Sequence, residues 1–331
     1  MKAIVLTSTD GTVDFIDVDD PTIKPGTVMV KLKAAGLNRR DYWITQGLYP
    51  GMHAPSILGS DGAGVVEEVG QGVEDSWLGR EVIIYPGTGW GPSSKAQSED
   101  FRILGMPDNG TFAEWIVVPA EQLVVKPEDL SIHEAATVPI AGLTAYRALF
   151  PQGRLQSGET VLITGIGGGV AVMILKLAAA SGAKVLVTSS SPQKLERALS
   201  LGATAGANYK EENWTGALAE HGPIDLVIDG SAGVEFNDLL GLVRPGGRIV
   251  NYGGTAGPPE HYDIRRHFWK QIHVIGSTFG SPDDLVALME MIELHSIRPE
   301  IDSVTPLSEG AEVIASMAKS PQFGKLVLEM P

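Results

Sequence analysis

Cysteine is absent from the 331 residues, which excludes disulfides, thiolate-ligated zinc and a thiol nucleophile together. Basic residues are scarce: 25 Lys and Arg against 40 Asp and Glu leave a net charge of −15. Such a chain has no general attraction for nucleic acid or for an anionic membrane surface, and neither is expected as a partner. Long apolar runs are missing as well. The opening "MKAIVLTSTDGTVDF" lacks the apolar stretch of a targeting segment, and no run approaches a membrane span. A soluble, cytoplasmic protein is the expectation. Several catalytic patterns are also missing. The seven histidines include no i, i+4 pair, and "HEAAT" (133–137) lacks the second histidine of a zinc-protease helix. "GSAG" (230–233) is not a Gly-x-Ser-x-Gly nucleophile elbow, and no tyrosine is followed by lysine four residues on.

What is present suggests two domains, each large enough for a core. Up to about residue 125, short β-branched runs alternate with glycine and proline: "TVMVKLKAAG" (27–36), "GAGVVEEVG" (62–70), "REVIIYP" (80–86) and "FAEWIVVP" (112–119) read as strands. A long polar insert, 87–110, interrupts them, and a loop of that length is a functional or elaborated lobe. From about residue 128 the rhythm changes. The segment 131–150 predicts a helix behind a serine cap. Strands at 161–164, 184–188, 224–229, 247–253 and 272–276 then alternate with helices at 169–181, 192–201 and 234–243. This alternation predicts an α/β fold, a doubly wound parallel sheet of the Rossmann type. A helix at 283–295 and a terminal strand, "FGKLVLEMP", complete the chain. The basic cluster "RRHFWK" (265–270) reads as a solvated or subunit-facing surface.

The stretch "VLITGIGGGVAVM" (161–173) runs from a strand through crowded glycines into a helix. Glycine there permits a tight turn and lets a pyrophosphate approach the amides at the helix N-terminus. Gly165, Gly167, Gly168, Gly169 and Val170 form this turn, and Ala171 takes the small-residue position where helix meets strand. The turn predicts a bound dinucleotide. At the end of the second strand, where an acid normally meets the ribose hydroxyls of NAD, the sequence reads "TSSSPQK" (188–194). Hydroxyls at Ser189 and Ser190 together with Lys194 suit a 2′-phosphate, so the expected cofactor is NADP(H).

The ordered set "AGLNRRDYWITQGLYP" (35–50), "LGSDGAGVVEEVG" (58–70), "GLTAYRAL" (142–149) and "GIGGGVA" (165–171) resembles the medium-chain dehydrogenase/reductase superfamily over essentially the whole chain. The nearer likeness is to its zinc-free quinone oxidoreductases and zinc-type alcohol-dehydrogenase-like relatives. The resemblance implies a GroES-like β-rich catalytic domain at 1–125, completed by 278–331, and a Rossmann domain at 126–277. It places Asn38 and Arg39 where zinc-dependent members carry cysteine and histidine, and Gly59-Ser60-Asp61 where they carry Gly-His-Glu. The four-cysteine lobe is replaced by 87–110. No metal is therefore expected, and without a Lewis acid the accessible acceptors are already electrophilic: a quinone, an enone or an enal.

The resemblance further implies that Asn38, Trp43, Tyr49 and Thr144 line the nicotinamide and substrate pocket. Asn38 would orient a carbonyl or the ribose, and either Tyr49 or water would donate the proton. Asp41 matches a family aspartate that serves as a structural hydrogen-bond acceptor. Trp43 stands where quinone reductases often carry tyrosine. Ser190, Lys194 and Tyr209 would meet the adenosine phosphate end, with Asp229, Gly230 and Ser231 beyond the next strand. Gly253, Gly254 and Phe279 would lie near the nicotinamide. A homodimer paired through the edge strand 272–276 is expected. Two alternatives stay open: an NADPH-binding protein with little catalysis, and an enoyl thioester reductase.

Overall fold

The alternating strands and helices of the second half build a six-stranded sheet that is parallel throughout, in a computed structural model describing residues 1–331. Across the sheet the strands run Ala205–Ala207, Lys184–Thr188, Thr160–Ile163, Ile224–Asp229, Val243–Asn251 and His273–Gly276. In order of sequence this is 3-2-1-4-5-6, the dinucleotide-binding arrangement in which ligands sit beyond the carboxyl ends of the strands where the order reverses. Thr160–Ile163 is buried along its whole length, as befits a strand covered by helices on both faces. The strand at 205–207 carries only "AGA" and has no β-branched signature; its register against Leu186–Thr188 secures it instead.

Chain contacts divide the molecule into residues 1–141 with 281–331, and residues 142–280. The break expected at 125 therefore falls later. The reason lies in what holds 126–141: the Lys126 amide bonds to the Glu81 carbonyl, and the Ile140 amide to the Asp61 carboxylate at 2.8 Å. The helix expected over 131–150 is also broken. Ile132–Ala135 forms a short helix closed by the Ser131–Glu134 capping box, and a second helix begins at Pro139. Proline lacks an amide and disfavours helical geometry in the residue before it, so Val138 ends the first turn. A π-helical turn at Ala148–Gln152 follows.

The first unit is organised by the long strand Thr27–Gly36. It pairs antiparallel with Ala63–Val69, Trp115–Pro119 and the terminal strand Lys325–Glu329. Ile301–Pro306 joins Lys325–Glu329 in parallel, so the chain end completes this sheet. The inward faces supply a core containing Ile4, Val30, Leu32, Ile44, Leu58, Phe112 and Leu328. The 87–110 insert folds as a small lobe of three short strands, Gly87–Thr88, Arg102–Leu104 and Pro107–Asp108. Its centre is aromatic: Trp90, 4% exposed, meets Phe101 edge-on at 5.2 Å.

Candidate active site

The strand Thr160–Ile163 delivers the glycine turn to the helix Gly169–Ala180, whose first residue follows Gly168 at the N-cap. Gly165 and Gly167 have φ of +63° and +142°, conformations that a side chain resists. A Cβ on Gly168 would meet nothing within 4 Å, which leaves the amides at the helix start open to a phosphate. A Cβ on Gly167 would lie 3.1 Å from Lys194 Nζ, so this ammonium is beside the turn. Ser191 caps the helix Pro192–Ser200, accepting from the Lys194 amide, and the Ser189 hydroxyl accepts from the Ser191 amide at 3.2 Å. Ser190 is half-buried. Tyr209 packs partly buried against the core of this unit.

Beyond the next strand, Asp229 is 1% exposed. Its carboxylate accepts from the Thr164 hydroxyl at 2.6 Å, the Ser231 and Ala232 amides, and Asn251 Nδ2 at 2.8 Å. A carboxylate so engaged shapes the 229–232 turn. Gly253 lies close against Gly230: a Cβ there would meet the Gly230 carbonyl at 2.8 Å, whereas Gly254 is open. Phe279 is buried with φ +47°, and Thr144 is buried on the helix Pro139–Arg147.

In the first unit, the helix Arg39–Thr45 starts just after Asn38. Asn38 Nδ2 donates to Asp61 Oδ2 at 2.9 Å and to the Gly36 carbonyl at 3.3 Å, while Oδ1 accepts from Lys325 Nζ at 2.7 Å. Both amide protons are thus committed within the chain. Asn38 thereby ties Asp61 and Lys325 to the start of the helix. Lys325 also pairs with Asp61 at 3.0 Å, with side chains 6% and 0% exposed. Asp41 accepts from the Asn38 amide at 2.7 Å, and its second oxygen is buried without a partner. Burial raises its carboxyl to about 6 from 3.8, against the opposing pull of Arg40.

Arg40 anchors the other side of the cluster. Its guanidinium donates to the Ser60 hydroxyl and to the carbonyls of Leu104 and Met106 in the lobe, and Nε donates to Tyr49 Oη at 3.2 Å. It also lies 4.7 Å from the centre of the Tyr49 ring. Tyr49 is half-buried, and Trp43, on the helix, meets Tyr42 at 5.3 Å and the Arg39 guanidinium at 5.7 Å.

Comparison with known proteins agrees with this architecture. Residues 24–128 match the alcohol dehydrogenase GroES-like domain, and residues 169–293 match the zinc-binding dehydrogenase family. A zinc-type alcohol dehydrogenase-like protein YogA of Leptosphaeria maculans is 35% identical over 95% of this chain and 93% of its own. The chain belongs to the medium-chain dehydrogenase/reductase superfamily. It is similar to an acryloyl-coenzyme A reductase of Metallosphaera sedula, 30% identical over 99% of both chains. A quinone oxidoreductase of Pseudomonas aeruginosa is 31% identical over 92% of this chain and 91% of its own. The crystal structure of an NAD-dependent alcohol dehydrogenase superposes with a TM-score of 0.95 at 32% identity, covering both chains fully. As a member of this superfamily, the protein is an oxidoreductase with a GroES-like and a Rossmann-type domain, and its family depends on nicotinamide dinucleotides.

Membership in a family described as zinc-binding poses the question of fit. The donors at the positions of the zinc ligands are Asn38, Ser60 and Asp61, and the oxygens of all three already face the cations Lys325 or Arg40. No group of three or more His, Asp or Glu residues converges anywhere in the chain. A zinc ion there would have to displace a buried ammonium and would find no imidazole or thiolate, so these residues do not fit it. No helix is long and apolar enough to cross a membrane. Sequence reasoning missed the parts played by Arg40 and Lys325. Lys325 lies 287 residues from Asn38, and its only sequence signal is a lysine inside an apolar terminal strand.

Proposed function

We propose that this protein is an NADPH-dependent, zinc-independent reductase that passes hydride to a quinone or to a carbon–carbon double bond conjugated to a carbonyl. The observation that carries this reading is the cation pairing of Asn38, Ser60 and Asp61, which leaves a metal no seat from which to polarise an alcohol or an unactivated aldehyde. Bound NADPH supplies the hydride. The glycine turn at 165–169 would hold its pyrophosphate, with Val170 at the helix start. Ser190 and Lys194 would take the 2′-phosphate, and the absence of any acid from 188–194 removes the repulsion that would favour NAD instead. Gly254, where a Cβ would meet nothing within 4 Å, leaves room for the nicotinamide end.

Asn38 and Lys325 hold the shape of the acceptor site by locking Asp61. Tyr49 delivers a proton to the charge that develops on the acceptor, its phenol oxygen held by Arg40. Similarity to an acryloyl-coenzyme A reductase favours an enoyl thioester as one acceptor of this class. The protein acts as a homodimer paired through His273–Gly276. That strand stands at the sheet edge with Val274 exposed, beside Phe268 and Trp269 at 62% and 81% exposure, and an uncovered edge of this kind calls for a partner. Stopped-flow mixing of the protein and NADPH with quinones, enones, enals and enoyl thioesters tests the reading. Oxidation of NADPH by at least one class is the expected result; tight NADPH binding with no oxidation by any of them would leave a binding protein.

A further inference from the structure

Arg40 is a buried cation with no part in the pairing of Lys325 and Asp61. It is 9% exposed, and none of its hydrogen bonds goes to a carboxylate. Taking a guanidinium out of water is costly unless its donors are engaged, and here two lobe carbonyls and a hydroxyl take three of its N–H groups, with the Asp41 carboxyl as its charged neighbour. Those anchors fix the plane of the guanidinium and hence where Nε–H points, and it points at Tyr49 Oη. A guanidinium cannot accept a hydrogen bond. In this contact the phenol oxygen must therefore be the acceptor, which turns its own proton away from Arg40. That proton has no acceptor within the chain.

We infer that Arg40, on the helix Arg39–Thr45 and anchored to the carbonyls of the 87–110 lobe, is a positioning residue that presents the Tyr49 hydroxyl as a proton donor to the reduced acceptor. This rests on the reading of Tyr49 as the acid. Hydride addition to the β-carbon moves the double-bond pair toward the carbonyl oxygen. The Tyr49 O–H bond then breaks, its proton bonds to the α-carbon, and the phenolate left behind recovers a proton from water. The guanidinium lies ready beside that phenolate oxygen, so its charge is met by a preorganised donor and no solvent must reorient.

A double-mutant cycle on kcat tests this, using Tyr49→Phe, Arg40→Lys and the double variant, with NADPH and the best acceptor from the panel. Lysine keeps a cation for the lobe carbonyls but removes the Nε donor. Tyr49→Phe is expected to lower kcat by ~100-fold. Arg40→Lys is expected to lower it about 10-fold with the NADPH dissociation constant unchanged, and to change it less than about twofold when Tyr49→Phe is already present. Ser60→Ala, which removes one anchor and no charge, covers the case in which the lysine variant does not fold. It should give a smaller loss of kcat that likewise vanishes in combination with Tyr49→Phe. Equal losses in both backgrounds would overturn the inference and leave Tyr49 as the acid. Undiminished turnover in Tyr49→Phe would overturn the tyrosine reading itself.

Discussion

Lys325→Met isolates the interaction on which the first unit's polar cluster depends. The substitution keeps an unbranched apolar stem of similar shape and removes the ammonium. What remains is Asp61, 0% exposed, with two donors still in place, Asn38 Nδ2 at 2.9 Å and the Ile140 amide at 2.8 Å. Asn38 Oδ1 loses its 2.7 Å partner at the same time. Removing one member of a buried ion pair typically costs about 3–5 kcal/mol, because the survivor keeps its desolvation penalty. Two surviving donors put the expected loss near the lower end, about 3 kcal/mol. Hydrogen exchange in peptides covering 27–36 and 325–329 reads this locally, which avoids treating a two-unit chain as a two-state folder. Asp61→Asn added to Lys325→Met removes the stranded charge and should restore at least half of the protection. A single variant as protected as the wild type, or a double variant no better than the single, would refute the reasoning.

Asp41→Asn tests the raised carboxyl. Between pH 4 and 6 the folded chain keeps a proton there that the unfolded chain has lost, so this group's contribution to stability falls as pH rises through that window and is constant above it. The full effect is about 3 kcal/mol for a shift from 3.8 to about 6; denaturant titrations across pH 4–7 should show wild type losing most of that relative to the asparagine variant. Lys194→Ala should weaken NADPH binding by roughly 10- to 100-fold while leaving NADH nearly unchanged, as read by fluorescence titration, since a charge-assisted bond to the 2′-phosphate exists only with the former. Val274→Lys places a charge on the exposed edge strand, and light scattering should show dimer converting to monomer.

The alternating half of the chain was legible because buried parallel strands are short apolar runs and the glycine turn is local. The same locality explains why the 205–207 strand escaped: three small residues carry no pattern, and only the register of the neighbouring strand defines them. Pro139 was visible in the sequence, and the chain breaks there as its chemistry requires, although helical spacing had suggested continuity. At the site, Asn38 and Tyr49 stood out as single residues, but their partners did not. Nothing local marks Arg40, whose carbonyl partners Leu104 and Met106 come from another segment, and Lys325 is brought in by a strand pairing at the far end of the chain. Such long-range pairings leave no periodic trace.

NADPH oxidation by the metal-free protein tests the central claim most directly. Enzyme stripped with a chelator, and shown by elemental analysis to carry no zinc, should oxidise NADPH with a quinone, an enone or an enoyl thioester, followed by the loss of nicotinamide absorbance, and far more slowly with NADH in its place. Turnover that appears only when zinc is restored, or that prefers NADH, would contradict it.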